Sequence, residues 1–130
     1  MERRPLAAGT SENMDNCIFC KIVRGEVPSR KIYEDEDIFV LHDIQPQADV
    51  HFMIMPKAHI ASLAECDMRQ QLVLGKILAM SQQLAKSQGL DDGFRTIINT
   101  GRIGHQEVMH LHVHILGGSQ PLGRMLPRTQ

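Results

Sequence analysis

The chain has 130 residues, which at roughly 100–200 residues per domain is one domain, and its 42% hydrophobic content supplies a core without disulfide staples. Fourteen Lys+Arg against fifteen Asp+Glu leave a net charge of −1, so no basic excess exists to follow a phosphate backbone. With four Phe, one Tyr and no Trp there is no base-stacking platform either, and nucleic acid is not an expected partner. All seven histidines fall between His42 and His114.

Residues 1–15 mix Gly, Pro, Ser and charge without periodicity and read as a disordered tail, with one domain over 16–130. The start, Met1 to Gly9, lacks the apolar stretch of a secretory signal, and no run reaches the roughly 18 apolar residues of a membrane helix. The expectation is a cytoplasmic, reducing location with no membrane partner. An odd count of three cysteines makes a disulfide framework unsuited, and Cys17-x-x-Cys20 reads as a metal or redox pair, or as two semi-buried thiols.

Ile18–Val23 is an apolar helical turn before Gly25. Ser29–Tyr33 and Asp37–His42 read as strands joined at Glu34-Asp35-Glu36, and Val50–Met55 as a strand ended by Pro56. The clearest helix spans 67–88. Asp67-x-x-Gln70 is a capping box, with Ser62-x-x-Glu65 a competing start. Val73, Ile77, Met80 and Leu84 make one stripe; Leu74, Leu78 and Ala85 widen it, so much of the girth should be buried, and Gly89 closes the helix. A strand Arg95–Asn99, a loop with Gly101 and Gly104, and a strand His110–Leu116 follow. The implied class is α+β, one long helix on an antiparallel sheet, with an extended tail from about 117.

Along His110-Leu111-His112-Val113-His114-Ile115-Leu116, strand alternation puts three imidazoles on one face, neighbours roughly 6.5–7 Å apart. Six ring nitrogens need partners, so this face is not ordinary core. One use is a metal site, since His-x-His suits zinc. The other is phosphate chemistry, where a neutral imidazole attacks phosphorus and a neighbouring imidazolium steadies the transition state. The upstream loop, Asn99 to Val108, offers amides and backbone N–H groups beside the histidines and favours the second.

His110-Leu-His112-Val-His114-Ile-Leu resembles the motif of the histidine triad (HIT) superfamily. Similarity extends to Cys17-Ile-Phe-Cys-Lys-Ile-Val-Arg-Gly-Glu-Val-Pro28, His42-Asp-Ile-Gln-Pro-Gln-Ala48, Met53-Ile-Met-Pro-Lys-x-His59 and Gly117-Gly118, about residues 16–126 in all. The Asp-Ile-x-Pro-Gln-Ala segment and the Gly-Gly end are similar to the histidine-triad nucleotide-binding branch. The resemblance implies a five-stranded antiparallel sheet with one long and one short N-terminal helix, joined to a second sheet across a homodimer. It implies a purine nucleoside 5′-phosphoramidase that releases an AMP- or GMP-type monophosphate and an amine through a nucleotidyl-histidine. The alternatives are a dinucleoside polyphosphate hydrolase, an AMP- or GMP-binding regulatory module, and a zinc-stabilised interaction domain.

Carried over residue by residue, His112 is the implied nucleophile, His114 holds and donates to phosphate oxygens, and His110 orients His112 from behind. Asp43 accepts from the ribose hydroxyls, with Leu41, His42 and Ile44 in the closing turn. Phe19, Ile22, Leu41 and Met53 form an apolar purine slot, although plain core packing explains each equally well. Asn99, Gln106, Glu107 and Val108 cradle the phosphate. Three departures stand out. Glu107 replaces a common Ser or Thr, and would give a proton to a leaving amine only if burial raised its pKa. His105 replaces a common glycine, and the tail Gly123-Arg-Met-Leu-Pro127 has no tryptophan. The resemblance also implies a structural zinc on Cys17, Cys20, His51 and His110, with His59 as rival fourth ligand.

Overall fold

The computed structural model describes residues 15–127, so the tail expected over 1–15 lies, except for Asp15, outside the described residues. Five strands, β1 (Lys31–Glu34), β2 (Ile38–His42), β3 (Val50–Pro56), β4 (Arg95–Ile97) and β5 (Val113–Gly117), form one sheet in the order β1-β2-β3-β5-β4. Every pairing is antiparallel. Two helices accompany them, α1 (Ile18–Val23) and α2 (Gln71–Ser87). The α+β class and the single long helix are as expected. None of the described helices is long and apolar enough to cross a membrane.

Strand alternation splits the interior into two layers. Ile38 and Val40 of β2, Phe52 and Ile54 of β3, and Val113 and Ile115 of β5 point to one face, where Ile77, Leu84 and Ala85 of α2 cover them together with Leu90. The alternate residues Phe39, Leu41, Met53 and Met55 face the other way and pack with Cys17, Phe19 and Cys20 around α1. His114 pairs with Met53 across β3 and β5, which puts the histidines on this second face.

Both helix-start signals are used. Ser62 caps a 3₁₀ turn over Leu63–Glu65, and Asp67 forms a complete capping box with Gln70 over a second turn, Met68–Gln70, that leads into α2. The helix buries a narrower stripe than expected, because Leu78 is 50% exposed and the covering face is Ile77, Ser81, Leu84 and Ala85. The strand expected over His110–Leu116 starts three residues late. His110 bonds back to the Val108 carbonyl, and Leu111 donates to Ile60 rather than to a ladder partner.

The β1–β2 turn is held by Asp35. Its carboxylate accepts the backbone N–H groups of Asp37 and Ile38 at 2.8 and 3.0 Å and the Tyr33 hydroxyl at 2.8 Å, and lies 2.9 Å from Lys76 Nζ on α2. Burial opposes its ionisation, but Lys76 and these donors outweigh it and hold the carboxyl well below the usual carboxylate range. A depressed folded pKa stabilises above the unfolded value and is lost as pH falls through it. Asp35→Ala should therefore cost about 1–3 kcal/mol at pH 7. In urea titrations, the gap between wild type and variant should be full at pH 6 and narrow below about pH 4.

Candidate active site

A cleft of about 570 Å³ opens on the second face of the sheet, between α1, the β2–β3 turn and the loop preceding β5. Phe19, Ile22, Leu41, His42, Asp43, Ile44, Met53, Asn99, Glu107, Val108, His112 and His114 all line it. Phe19, Leu41 and Met53 are at once core and wall: each is at most 8% exposed, and they form the closed apolar end. Ile44 stands 86% exposed on the lip.

Counting hydrogen bonds on the imidazoles fixes their tautomers, and every partner below follows from which groups can donate. His112 Nδ1 lies 2.7 Å from the His110 carbonyl, which can only accept, so Nδ1 carries the proton and Nε2 the lone pair. The Gln47 backbone N–H donates to His51 Nδ1 at 3.0 Å, which leaves the proton of a neutral His51 on Nε2. That proton points to His114 Nδ1 at 2.9 Å, so a neutral His114 carries its proton on Nε2. Among the described residues, His112 Nε2 and His114 Nε2 have no hydrogen-bond partner. The site therefore leaves one free lone pair and one free N–H on adjacent rings, 4.9 Å apart between centroids. The rings lean together, closer than the strand rise alone would set them.

These rings are neutral at physiological pH. Burial lowers the His112 pKa. Burial and the neighbouring His112 and His51 push His114 down to about 4, with Asp43 and Glu107 offsetting only in part. The expected imidazolium neighbour is thus replaced by a neutral N–H donor. Asp43 lies 3.4 Å from His51 Nε2 and 3.9 Å from His114 Nδ1, and its other oxygen accepts the Gln45 N–H.

Gln106 does not line the cleft. Its Oε1 accepts the Gly101 N–H, and its Nε2 donates to the carbonyls of Ala61 and Val108, so the amide is spent on pinning the loop. In that loop Gly104 is required, because a Cβ would sit 2.6 Å from the Thr100 carbonyl oxygen, while His105 takes φ +61°, a left-handed conformation that favours glycine. Gly101, Gly104, His105 and Gln106 turn their N–H groups inward, and among the described residues those of Glu107 and Val108 remain unpartnered. The Glu107 side chain is 80% exposed, without the burial that a proton-donor role requires.

The second cysteine–histidine cluster corrects an expectation. Cys17, Cys20, His59 and His110 bring their donor atoms within 4.8 Å of one another, whereas His51 belongs to a separate group with Asp43 and His114. The reason is register. Antiparallel pairing sets His51 against Leu116 and Ile54 against Val113, so the chain level with His110 is reached only past Pro56. His51 is about six residues, roughly 20 Å, from that level, and His59 is beside it. The donor set suits a tetrahedral ion of zinc type. His110 Nε2 donates to the Pro56 carbonyl at 2.8 Å, leaving Nδ1 free to face Cys17 Sγ and Cys20 Sγ at 3.3 and 3.5 Å, and His59 Nδ1 lies 3.3 Å from Cys20 Sγ. A metal-bound histidine with its other N–H on a backbone carbonyl is the usual arrangement. Burial and the Cys17 thiol push the Cys20 thiol up to about 12, a state that a bound cation reverses.

The HIT domain family pattern matches residues 24–121. The chain belongs to the HIT domain family. Protein HitA of Neisseria gonorrhoeae is 49% identical over 104 residues, covering 80% of this chain and 97% of that protein. A 14 kDa zinc-binding protein of Zea mays is 45% identical over 105 residues, covering 79% and 82%. Among solved structures, a HIT family hydrolase from Legionella pneumophila Philadelphia 1 superposes with a TM-score of 0.78 at 42% identity, covering 81% of this chain and 95% of that one.

Ile18, Gln45 and Gln47 line the cleft without having been singled out from the sequence. Ile18 stands four residues before Ile22, so the helical spacing of α1 held the signal. Gln47 acts through its backbone, where side-chain identity says nothing. The metal assignment makes a sharp expectation. Protein purified without chelator should carry about one equivalent of metal per chain, lost in His59→Ala and retained in His51→Ala. Elemental analysis of the two variants reads this directly, and the opposite pattern would restore His51 as the ligand.

Proposed function

We propose that this HIT domain protein is a purine nucleoside 5′-phosphoramidase that works through a nucleotidyl-histidine. The observation that carries this is the pairing of two free nitrogens of opposite character, the His112 Nε2 lone pair and the His114 Nε2–H, in one cleft. The purine occupies the apolar end against Phe19, Leu41 and Met53, and Asp43 accepts from the ribose. The N–H groups of Glu107 and Val108, with Asn99 and His114 Nε2–H, hold the phosphate oxygens.

His112 Nε2 attacks the α-phosphorus; the new N–P bond forms as the bond to the leaving nitrogen breaks, and the amine departs with a proton taken from solvent. Water then attacks phosphorus, the His112–phosphorus bond breaks, and the monophosphate leaves with the ring neutral again. While phosphorylated, His112 is cationic, and the His110 carbonyl on Nδ1–H stabilises that charge in a water-poor site. Zinc on Cys17, Cys20, His59 and His110 would supply structural rigidity. His110 itself positions the carbonyl.

The cleft favours a phosphoramidate over a dinucleoside polyphosphate, because among the described residues neither Lys nor Arg lines it to neutralise further phosphates. Two copies joined edge to edge belong to the same proposal, β4 being an outer strand of the sheet. So does a reducing, cytoplasmic location, consistent with the free thiols of Cys17, Cys20 and Cys66.

Incubated with an adenosine phosphoramidate and examined by intact mass, the wild type should show a nucleotidyl adduct that His112→Asn lacks. The variant should still bind AMP and lose at least about 10³ in kcat. Unchanged turnover in His112→Asn would falsify the mechanism, and faster cleavage of a diadenosine polyphosphate would replace the substrate class. The pH profile carries a second check. Because burial lowers the pKa of His112, whose Nε2 lone pair attacks, kcat/KM should be level through neutrality and fall only on the acid side, below the ordinary imidazole value near 6.5. A fall centred at or above that value contradicts a neutral His112.

A further inference from the structure

We infer that the cleft selects a leaving amine that carries positive charge, and that Glu107 is the residue that selects it. This rests on the phosphoramidase proposal and names the substrate class within it. Among the described residues, the carboxylates lining the cleft are Asp43 and Glu107, and neither Lys nor Arg lines it. His51 accepts the Gln47 N–H on Nδ1 and His114 Nδ1 faces the His51 Nε2–H, so neither ring carries a second proton to balance them. The described lining therefore presents two carboxylates and no fixed cation to a substrate.

The two carboxylates differ in setting. Asp43 is 16% exposed and bonded to the turn beside His51, deep at the nucleoside end. Glu107 is 80% exposed on the lip, directly before Val108, with the exposed His105 3.5 Å from it. It also lines an adjoining groove of about 550 Å³ with Asn16, His59 and Met109, where neither Lys nor Arg stands among the described lining residues. With the base in the apolar end and phosphorus at His112 Nε2, the leaving group is the part of the substrate left to run out over this lip. Its charge meets Glu107. Glu107 lines the same cleft as His112 and His114, so a group leaving from phosphorus at His112 passes its carboxylate. Across solvated lip distances, one unit of charge on the leaving group is worth about threefold in rate, or about tenfold between cation and anion. Salt should weaken the effect, since exposed charges are screened over about 10 Å at 0.1 M.

Three adenosine 5′-phosphoramidates of equal chain length test this on the full-length protein: one from a diamine, one from the matching monoamine and one from the matching ω-amino acid. Ratios of kcat/KM are taken within each variant, so any general loss of activity cancels. In low salt the wild type should favour the diamine over the amino acid by about tenfold, with the monoamine between, and 0.5 M salt, where screening shortens to about 4 Å, should shrink the spread. Glu107→Gln should bring the ratio to within about twofold, and Glu107→Lys should reverse it. A wild type blind to charge, or an order that persists in Glu107→Gln, overturns the inference alone. No AMP from the monoamine substrate overturns the phosphoramidase proposal, and the inference with it.

Discussion

The site depends on one hydrogen bond, from His112 Nδ1 to the carbonyl of His110 at 2.7 Å. It decides which nitrogen of His112 keeps its lone pair, and it ties that choice to a residue whose position is set elsewhere. His110 is fully buried, its Nε2 is held by Pro56 at the end of β3, and its Nδ1 faces the two thiols. The β5 ladder begins only after His112, so this stretch of backbone is positioned by the His110 side chain and by single backbone bonds to Val108 and Ile60 rather than by strand pairing. A cation on the four sulfur and nitrogen donors would therefore act on His112 at one remove, through the backbone of its own ligand.

Burying histidines usually costs stability unless their nitrogens are satisfied, and the fold meets that cost by accounting for almost all of them. His110 spends both nitrogens on structure, and His51 spends both on orienting His114. Of the eight nitrogens of His51, His110, His112 and His114, two are left over among the described residues, and desolvation keeps both rings neutral. The same burial that keeps the His112 lone pair free makes His114 a donor rather than a cation. In the proposed reaction, transition-state charge would then be handled by fixed dipoles, which need no reorganisation.

Much of this was legible from residues 110–114, because alternation in β5 does send His112 and His114 to one face and Val113 and Ile115 to the other. The α2 stripe and the Asp67 capping box were equally readable, since both are local patterns. What failed was long-range. Whether His51 or His59 meets the cysteines depends on the β3–β5 register, and a shift along the strands is invisible in the spacing of His51 alone. Gln106 failed for another reason: an amide in a glycine-bearing loop serves a ligand and a backbone equally well, and only the three partners at 2.8–2.9 Å decide.

Those three bonds also explain how the loop before β5 tolerates His105. A non-glycine residue in the left-handed region costs about 1–3 kcal/mol. Gln106 offsets this with three hydrogen bonds worth about 0.5–1.5 kcal/mol each. The loop's own carbonyls take up the N–H groups of Gly104, His105 and Gln106. Backbone turned inward at 101–106 is what leaves 107 and 108 turned outward, so the strained residue and the unpartnered donors are two consequences of one conformation. Glycine at 105 would relieve the strain and leave that conformation in place. What it would remove is the imidazole beside Glu107, the nearest group able to temper the negative lip of the cleft.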